Sequence, residues 1–220
     1  MPLCGALART CKKQESVMKK RFATTLLATL IATSAQAYQA GDMVLRAGAA
    51  GVMPTGESDA IPALSNAKIE AQDAWSLGIT FTYMATDKIG VGVLAAWPFE
   101  HDIDVVGGSE IASTKHLPPT VTLQYHFDST SKLHPYVGAG FNYTTFFDED
   151  INLPGASLSL DDSWGLAGEL GLDYELENNW LVSGQVWYID INTEASITGV
   201  PKFDVEIDPW VVMLSVGKKF

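Results

Sequence analysis

Beyond residue 37 the chain has no run of 18 consecutive apolar residues, which excludes a membrane-spanning helix there. Cysteine is nearly absent: of 220 residues only Cys4 and Cys11 are cysteines, both close to the N-terminus. Basic residues are sparse, 14 Lys+Arg against 26 Asp+Glu, and so acidic a surface repels nucleic acid. No metal-ligand spacing, phosphate-cradling glycine loop or dinucleotide fingerprint occurs, so neither a cofactor nor a metal is expected. No serine stands in a nucleophile motif, and His101, His116, His126 and His134 are scattered. A catalytic site needs a nucleophile, a base and an orienting group that converge, so the reading is not an enzyme.

What is present begins with an export signal. Lys19, Lys20 and Arg21 form a basic n-region, residues 22–32 form a short apolar stretch, and Ala35-Gln36-Ala37 is a small-x-small cleavage pattern. Met18 is the expected start, with 1–37 as upstream extension and cleaved signal peptide and 38–220 as one domain. Cleavage removes both cysteines together with six basic and one acidic residue. It leaves 8 against 25, a net charge of −17.

The domain reads at period two. At 75–83 every odd residue is bulky and apolar and every even one is Ser, Gly or Thr, and 89–97, 117–127, 136–147 and 164–176 alternate likewise. Residues 43–52, 180–191 and 205–220 complete a set of eight, with a bulge suspected near Val186. Connections at 87–88, 128–134 and 177–179 are short, whereas 54–74, 101–115, 148–163 and 192–204 are long and acidic. Alternating short turns and long loops predict an all-β, eight-stranded antiparallel transmembrane β-barrel in the outer membrane. The acidic clusters 148–150 and 161–162 read as solvated loop tips before a divalent-cation site.

A soluble barrel would alternate too, with its bulky face inside. Here that choice would leave an outer surface of Gly, Ala, Ser and Thr, so the bulky face is assigned to lipid. Trp75, Trp97, Phe99, Phe147 and Trp164 would then belt one interface, and Tyr83, Tyr125, Phe127, Tyr174, Trp180 and Phe220 the other. The inward set would include Arg46, Glu169, Asp173, Glu175, Gln185 and Lys219 in the middle and periplasmic part. Leu94, Phe146 and Trp187, with Ile189 beside them, would line the extracellular part. Isolated charges in so narrow a space are costly unless paired, so Arg46 and Lys219 are expected to contact carboxylates among Glu169, Asp173 and Glu175.

An ordered series of segments resembles the OmpW family of outer-membrane proteins over the whole domain. They are VLRAG at 44–48 with Pro54, LGITFTY at 77–83, PPTVTLQY at 118–125, PYVGAGFNY at 135–143, WYIDI at 187–191, DPW at 208–210 and the terminal Phe220. Lys218 departs from the pattern, since such termini more often carry an aromatic two residues before the last. The resemblance implies a barrel with a narrow, largely hydrophobic interior that passes small apolar molecules across the outer membrane and releases them sideways into the bilayer. Outer-membrane lipids, the insertion machinery acting through Phe220, and a small hydrophobic ligand are the implied partners. A structural or adhesive barrel working through its acidic extracellular loops is the alternative.

Overall fold

The structure is a computed structural model that describes residues 38–62, 65–152 and 155–220. The segment read as a signal peptide lies outside the described residues. The described residues form fourteen strands: β1 Met43–Met53, β2 Ile69–Ala71, β3 Ala74–Met84, β4 Ile89–Ala96, β5 Phe99–Val105, β6 Glu110–Leu117 and β7 Thr120–His126. They continue with β8 Leu133–Ile151, β9 Leu158–Leu160, β10 Ser163–Glu175, β11 Trp180–Ile189, β12 Asn192–Ile197, β13 Phe203–Glu206 and β14 Trp210–Lys219.

Eight of these close on themselves in the order β1-β3-β4-β7-β8-β10-β11-β14, every pair antiparallel, with β14 returning to β1. Closure satisfies every ladder and leaves no edge, as a sheet in lipid requires. Its seam is tied by the last residue. Phe220 N–H donates to the Met43 carbonyl at 2.8 Å, and Met43 N–H donates back to Phe220 at 3.1 Å.

The side-chain period fixes which face is which. In β3 the side chains of Trp75, Leu77, Ile79, Phe81 and Tyr83 are exposed on the outside, while Ala74, Gly78, Thr80, Thr82 and Met84 are buried inside. Trp97, Trp164 and Leu214 stand about three-quarters exposed (75%, 76% and 74%). Water would not tolerate a band of such side chains; the hydrocarbon core of a bilayer accommodates it. The smaller residues inside suit the limited diameter of eight strands. At the turn end, Asn178 and Asn179 adopt positive φ (58° and 62°), a conformation that asparagine tolerates better than most side chains.

Three sequence expectations are corrected. First, β11 has no bulge: its register against β10 is unbroken from Leu181 to Ile189, and Leu181, Ser183, Gln185, Trp187 and Ile189 all point inward. Second, the long connections are largely strand. β5 and β6 form a hairpin on top of the barrel, β6 extends along the upper half of β8, and β9, β12 and β13 form a separate three-stranded sheet. His101 is therefore on a strand, not in a loop. Third, Phe99 does not join the outer aromatic belt and is buried. Pro98 interrupts the strand just before it, because proline has no N–H to give the ladder, and the inward parity switches from even positions in β4 to odd ones in β5.

The interruption has a partner. The β4–β7 ladder ends at the Leu94–Thr120 pair and the β5–β6 ladder begins at Phe99–His116. Between them, residues 95–98 face 117–119 without a ladder pair, and Pro98, Pro118 and Pro119 in these two stretches have no N–H to give one.

Candidate functional site

The interior is layered. At the turn end Arg46, from β1, lies against Asp173, from β10; neither has any exposed side-chain surface. Arg46 Nη2 donates to Asp173 Oδ2 at 2.5 Å and Nε to Oδ1 at 3.1 Å, a two-point grip. Ser183 Oγ donates to Oδ1 at 2.5 Å, and Arg46 Nη1 donates to Thr82 Oγ1 at 3.1 Å. The Tyr38 hydroxyl donates to Oδ2, and the Tyr136 ring lies 5.7 Å from the guanidinium carbon. Tyr136 can take that position because Gly171 carries no Cβ; one there would fall 2.0 Å from the tyrosine Cζ. His126 stacks on Tyr136 at 4.7 Å. His134 Nε2–H donates to Glu175 at 3.3 Å.

One layer up, Glu169 accepts Thr122 Oγ1–H at 2.6 Å and both of its oxygens accept Gln124 Nε2 (3.1 and 3.0 Å). Gln124 Oε1 in turn accepts His126 Nε2–H at 3.2 Å. Buried Gln185 accepts Thr80 Oγ1–H at 3.5 Å. A carboxylate that receives such donors is held in a low-dielectric space without a cation in contact.

Above this polar floor the character changes. Leu94, Phe146 and Trp187 join Ile189, Phe99 and Met213 in one apolar cluster. A cavity opens over it, between the β5–β6 hairpin and the three-stranded sheet. This pocket, open in part to solvent, is lined by Ile69, Ile103, Phe146, Leu158, Leu160 and Val205 among others. It stands outside the Trp97 and Trp164 belt and is an extracellular vestibule.

The vestibule wall holds two histidines. His101 and His116 stack at 4.8 Å with their planes 18° apart, and Phe99 continues the stack at 5.5 Å from His116. His101 Nδ1–H donates to the Gln72 carbonyl at 2.5 Å. Burial holds His116 down at about 3, helped by the neighbouring His101. Burial also lowers His101, against the opposing pull of the Gln72 carbonyl and the Asp73 and Asp102 carboxylates. Both rings are therefore neutral at physiological pH.

Of the residues singled out from the sequence, Arg46 and Asp173 come together, and Leu94, Phe146 and Trp187 meet in the apolar cluster. Lys219 pairs with Asp42 at 3.7 Å and lies over the Tyr38 ring. Glu175 is half-buried at the rim. Tyr38, Thr82, Ser183 and Tyr136 were not anticipated in the floor. Thr122 and Gln124 fall on the inward face by alternation alone, the signal by which they could have been chosen. Trp75, Tyr83, Trp97, Tyr125, Trp164, Tyr174, Trp180 and Phe220 are all exposed on the outer face.

Comparison with known proteins agrees with this architecture. A sequence profile described as the OmpW family matches residues 39–220. Outer membrane protein W of Escherichia coli (strain K12) is 47% identical over 214 residues, covering 92% of this chain and all of that protein. The crystal structure of the outer membrane protein OprG from Pseudomonas aeruginosa superposes with a TM-score of 0.77 at 45% identity, covering 84% of this chain and 98% of that one. The dibenzothiophene metabolism operon protein PahQ of Pseudomonas aeruginosa is 28% identical over 158 residues, 69% of this chain and 74% of that protein. With its closed eight-stranded sheet and its greasy outer face, the chain belongs to the OmpW family of outer-membrane barrel proteins.

Proposed function

We propose that the barrel is a conduit, not an enzyme, and that it takes small, mostly apolar molecules from the cell exterior into the outer membrane. The observation that carries this reading is the order of the layers: an apolar vestibule above, a floor of paired and hydrogen-bonded charges below. Displacing that floor to let an apolar molecule run down the axis would strip Asp173 and Glu169 of their partners. The stretch where residues 95–98 and 117–119 share no ladder pair lies beside Leu94, Phe99 and His116, next to the vestibule, and offers a way through the wall. A molecule stopped by the floor leaves there, into lipid. The name of PahQ, which ties that relative to the metabolism of an apolar sulfur heteroaromatic, agrees with this class of cargo. In this reading Leu94, Phe146 and Trp187 line the route, Arg46, Glu169, Asp173, Gln185, Glu175 and Lys219 form its floor and rim, and Phe220 presents the C-terminal aromatic to the insertion machinery.

The test is uptake of naphthalene by cells with intact outer membranes. Cells that produce the protein should accumulate it several-fold faster than cells that lack it, and Ile103→Lys, which places a charge in the vestibule, should abolish the difference. Equal rates would overturn the proposal, and loop-dependent adhesion in the same cells would favour the adhesive alternative.

A further inference from the structure

The stacked histidines leave something undone. Nε2 of His101 and Nε2 of His116 are each buried without a hydrogen-bond partner, and both rings line the vestibule. The state of His101 follows from its other nitrogen. A backbone carbonyl only accepts, so the 2.5 Å contact with Gln72 requires the proton on Nδ1 and leaves Nε2 as a bare lone pair. A buried acceptor without a donor is unfavourable, and stable folds seldom keep one unless something else supplies the donor. The stack on His116 and the Gln72 bond hold the ring, so it cannot turn its lone pair away. No third histidine, cysteine or carboxylate joins the pair to make a metal site among the described residues.

We infer that His101 and His116 form a hydrogen-bonding station in the apolar vestibule that selects small molecules carrying one hydroxyl donor, such as phenols and alcohols, over the parent hydrocarbons. The inference rests on the vestibule being the entry for apolar molecules and adds to that reading the chemistry of the preferred cargo. The ring of a phenol packs on Ile103, Phe146 and Leu158 while its O–H reaches a waiting imidazole nitrogen. A hydrocarbon of the same shape fills the space and leaves the nitrogen unpaired. Discrimination against a ligand that lacks the hydrogen-bonding group is large when it strands a buried partner. Here, with a single neutral bond at stake, about tenfold is expected.

Three matched probes separate the possibilities: toluene, p-cresol, and 4-methylanisole, which has an oxygen but no donor. Binding to the full-length barrel in lipid nanodiscs is followed through the methyl resonances of Ile69 and Ile103, with empty nanodiscs as the partition control. The ¹⁵Nε2 resonance of His101 reads the hydrogen bond directly. p-Cresol should bind about tenfold more tightly than the other two and should alone shift His101 Nε2. His101→Phe and His116→Phe, singly and together, should bring p-cresol down to the toluene affinity while toluene binding persists, which also shows that the variants keep a folded vestibule. Toluene binding with no preference for p-cresol in the wild type overturns this inference and leaves the entry route standing. A preference that survives in the double variant overturns it equally. Binding of none of the three overturns the entry route and this inference together.

Discussion

The guanidinium of Arg46 grips the carboxylate of Asp173 across 127 residues of sequence, at 2.5 and 3.1 Å, with no exposed surface on either side chain. The pair joins β1, the first strand of the barrel, to β10, which is not its neighbour in the sheet. It therefore ties opposite parts of the wall through the lumen. Two further hydroxyl donors, from Ser183 and Tyr38, complete the lone pairs of the carboxylate.

Breaking one member leaves the other charged, buried and alone. Arg46→Ala or Asp173→Ala should lower stability by about 3–5 kcal/mol, whereas the double replacement Arg46→Met with Asp173→Leu should recover most of that loss. Denaturant unfolding in lipid vesicles, followed by tryptophan fluorescence, measures both. If Arg46→Ala left stability unchanged and accelerated the passage of an apolar solute, the floor would be a gate instead of a brace.

The histidine stack makes stability depend on pH in a definite direction. Folding keeps His116 neutral down to about 3, whereas the unfolded chain would protonate it near 6.5. Its contribution is therefore complete above about pH 6.5 and is lost as the pH falls from there towards 3. The groups that face the pair are Glu70 on the vestibule wall, Asp73 and Asp102 beside His101, and the rings of Phe99 and Phe146 on His116. Among the described residues no carboxylate acts on His116, so it should titrate below His101. Imidazole ¹⁵N titration in nanodiscs should show His116 neutral at pH 5, and the protection of β5 and β6 amides, taken relative to their intrinsic exchange rates, should fall between pH 6 and pH 4. A His116 midpoint near 6.5 would contradict the burial on which this rests.

The eight barrel strands were legible in the sequence because lipid enforces a strict rule on one face: Leu77, Ile79 and Phe81 can only be bulky, and the opposite side is left with Gly78, Thr80 and Thr82. The strands above the membrane were not legible on that rule, because water lies outside them. Residues 99–105 alternate as cleanly as any, Phe99, His101 and Ile103 against Glu100, Asp102 and Asp104, but their outer face is acidic and reads as a loop to an eye trained on lipid. With the hairpin went the histidine pair. The Arg46–Asp173 contact was legible as a need for pairing. That Asp173 is the partner, and that Tyr38 and Tyr136 close around them, depends on strand register and on the space over Gly171, which composition does not record.

That space gives a third prediction. A Cβ on Gly171 would lie 2.0 Å from Tyr136 Cζ, inside the ring. The tyrosine is buried and packs against both Arg46 and His126. Gly171→Ala should therefore cost about 1–3 kcal/mol through overpacking. Combined with Tyr136→Ala, which empties the site, the alanine should add little further loss. A double-mutant cycle in the same unfolding assay isolates the coupling between the two. A cycle that closes with no coupling energy would mean that the ring does not rest on the glycine.

The outward face can be tested by depth. Leu170 projects from β10 between Trp164 at the extracellular belt and Tyr174 at the opposite one, and all three are exposed (60%, 76% and 42%). If those belts mark the two interfaces, Leu170 stands near the middle of the hydrocarbon, and Leu170→Arg should cost about 2–4 kcal/mol. Leu176 lies past Tyr174 on the same segment, also exposed at 40%, and Leu176→Arg should cost only about 0–1 kcal/mol, because its side chain reaches the headgroups. The two substitutions are chemically identical and differ only in height, so their difference measures immersion and nothing else. Equal costs at the two positions would show that the bulky face does not follow the bilayer profile, and the assignment of lipid to the outside would fall with it.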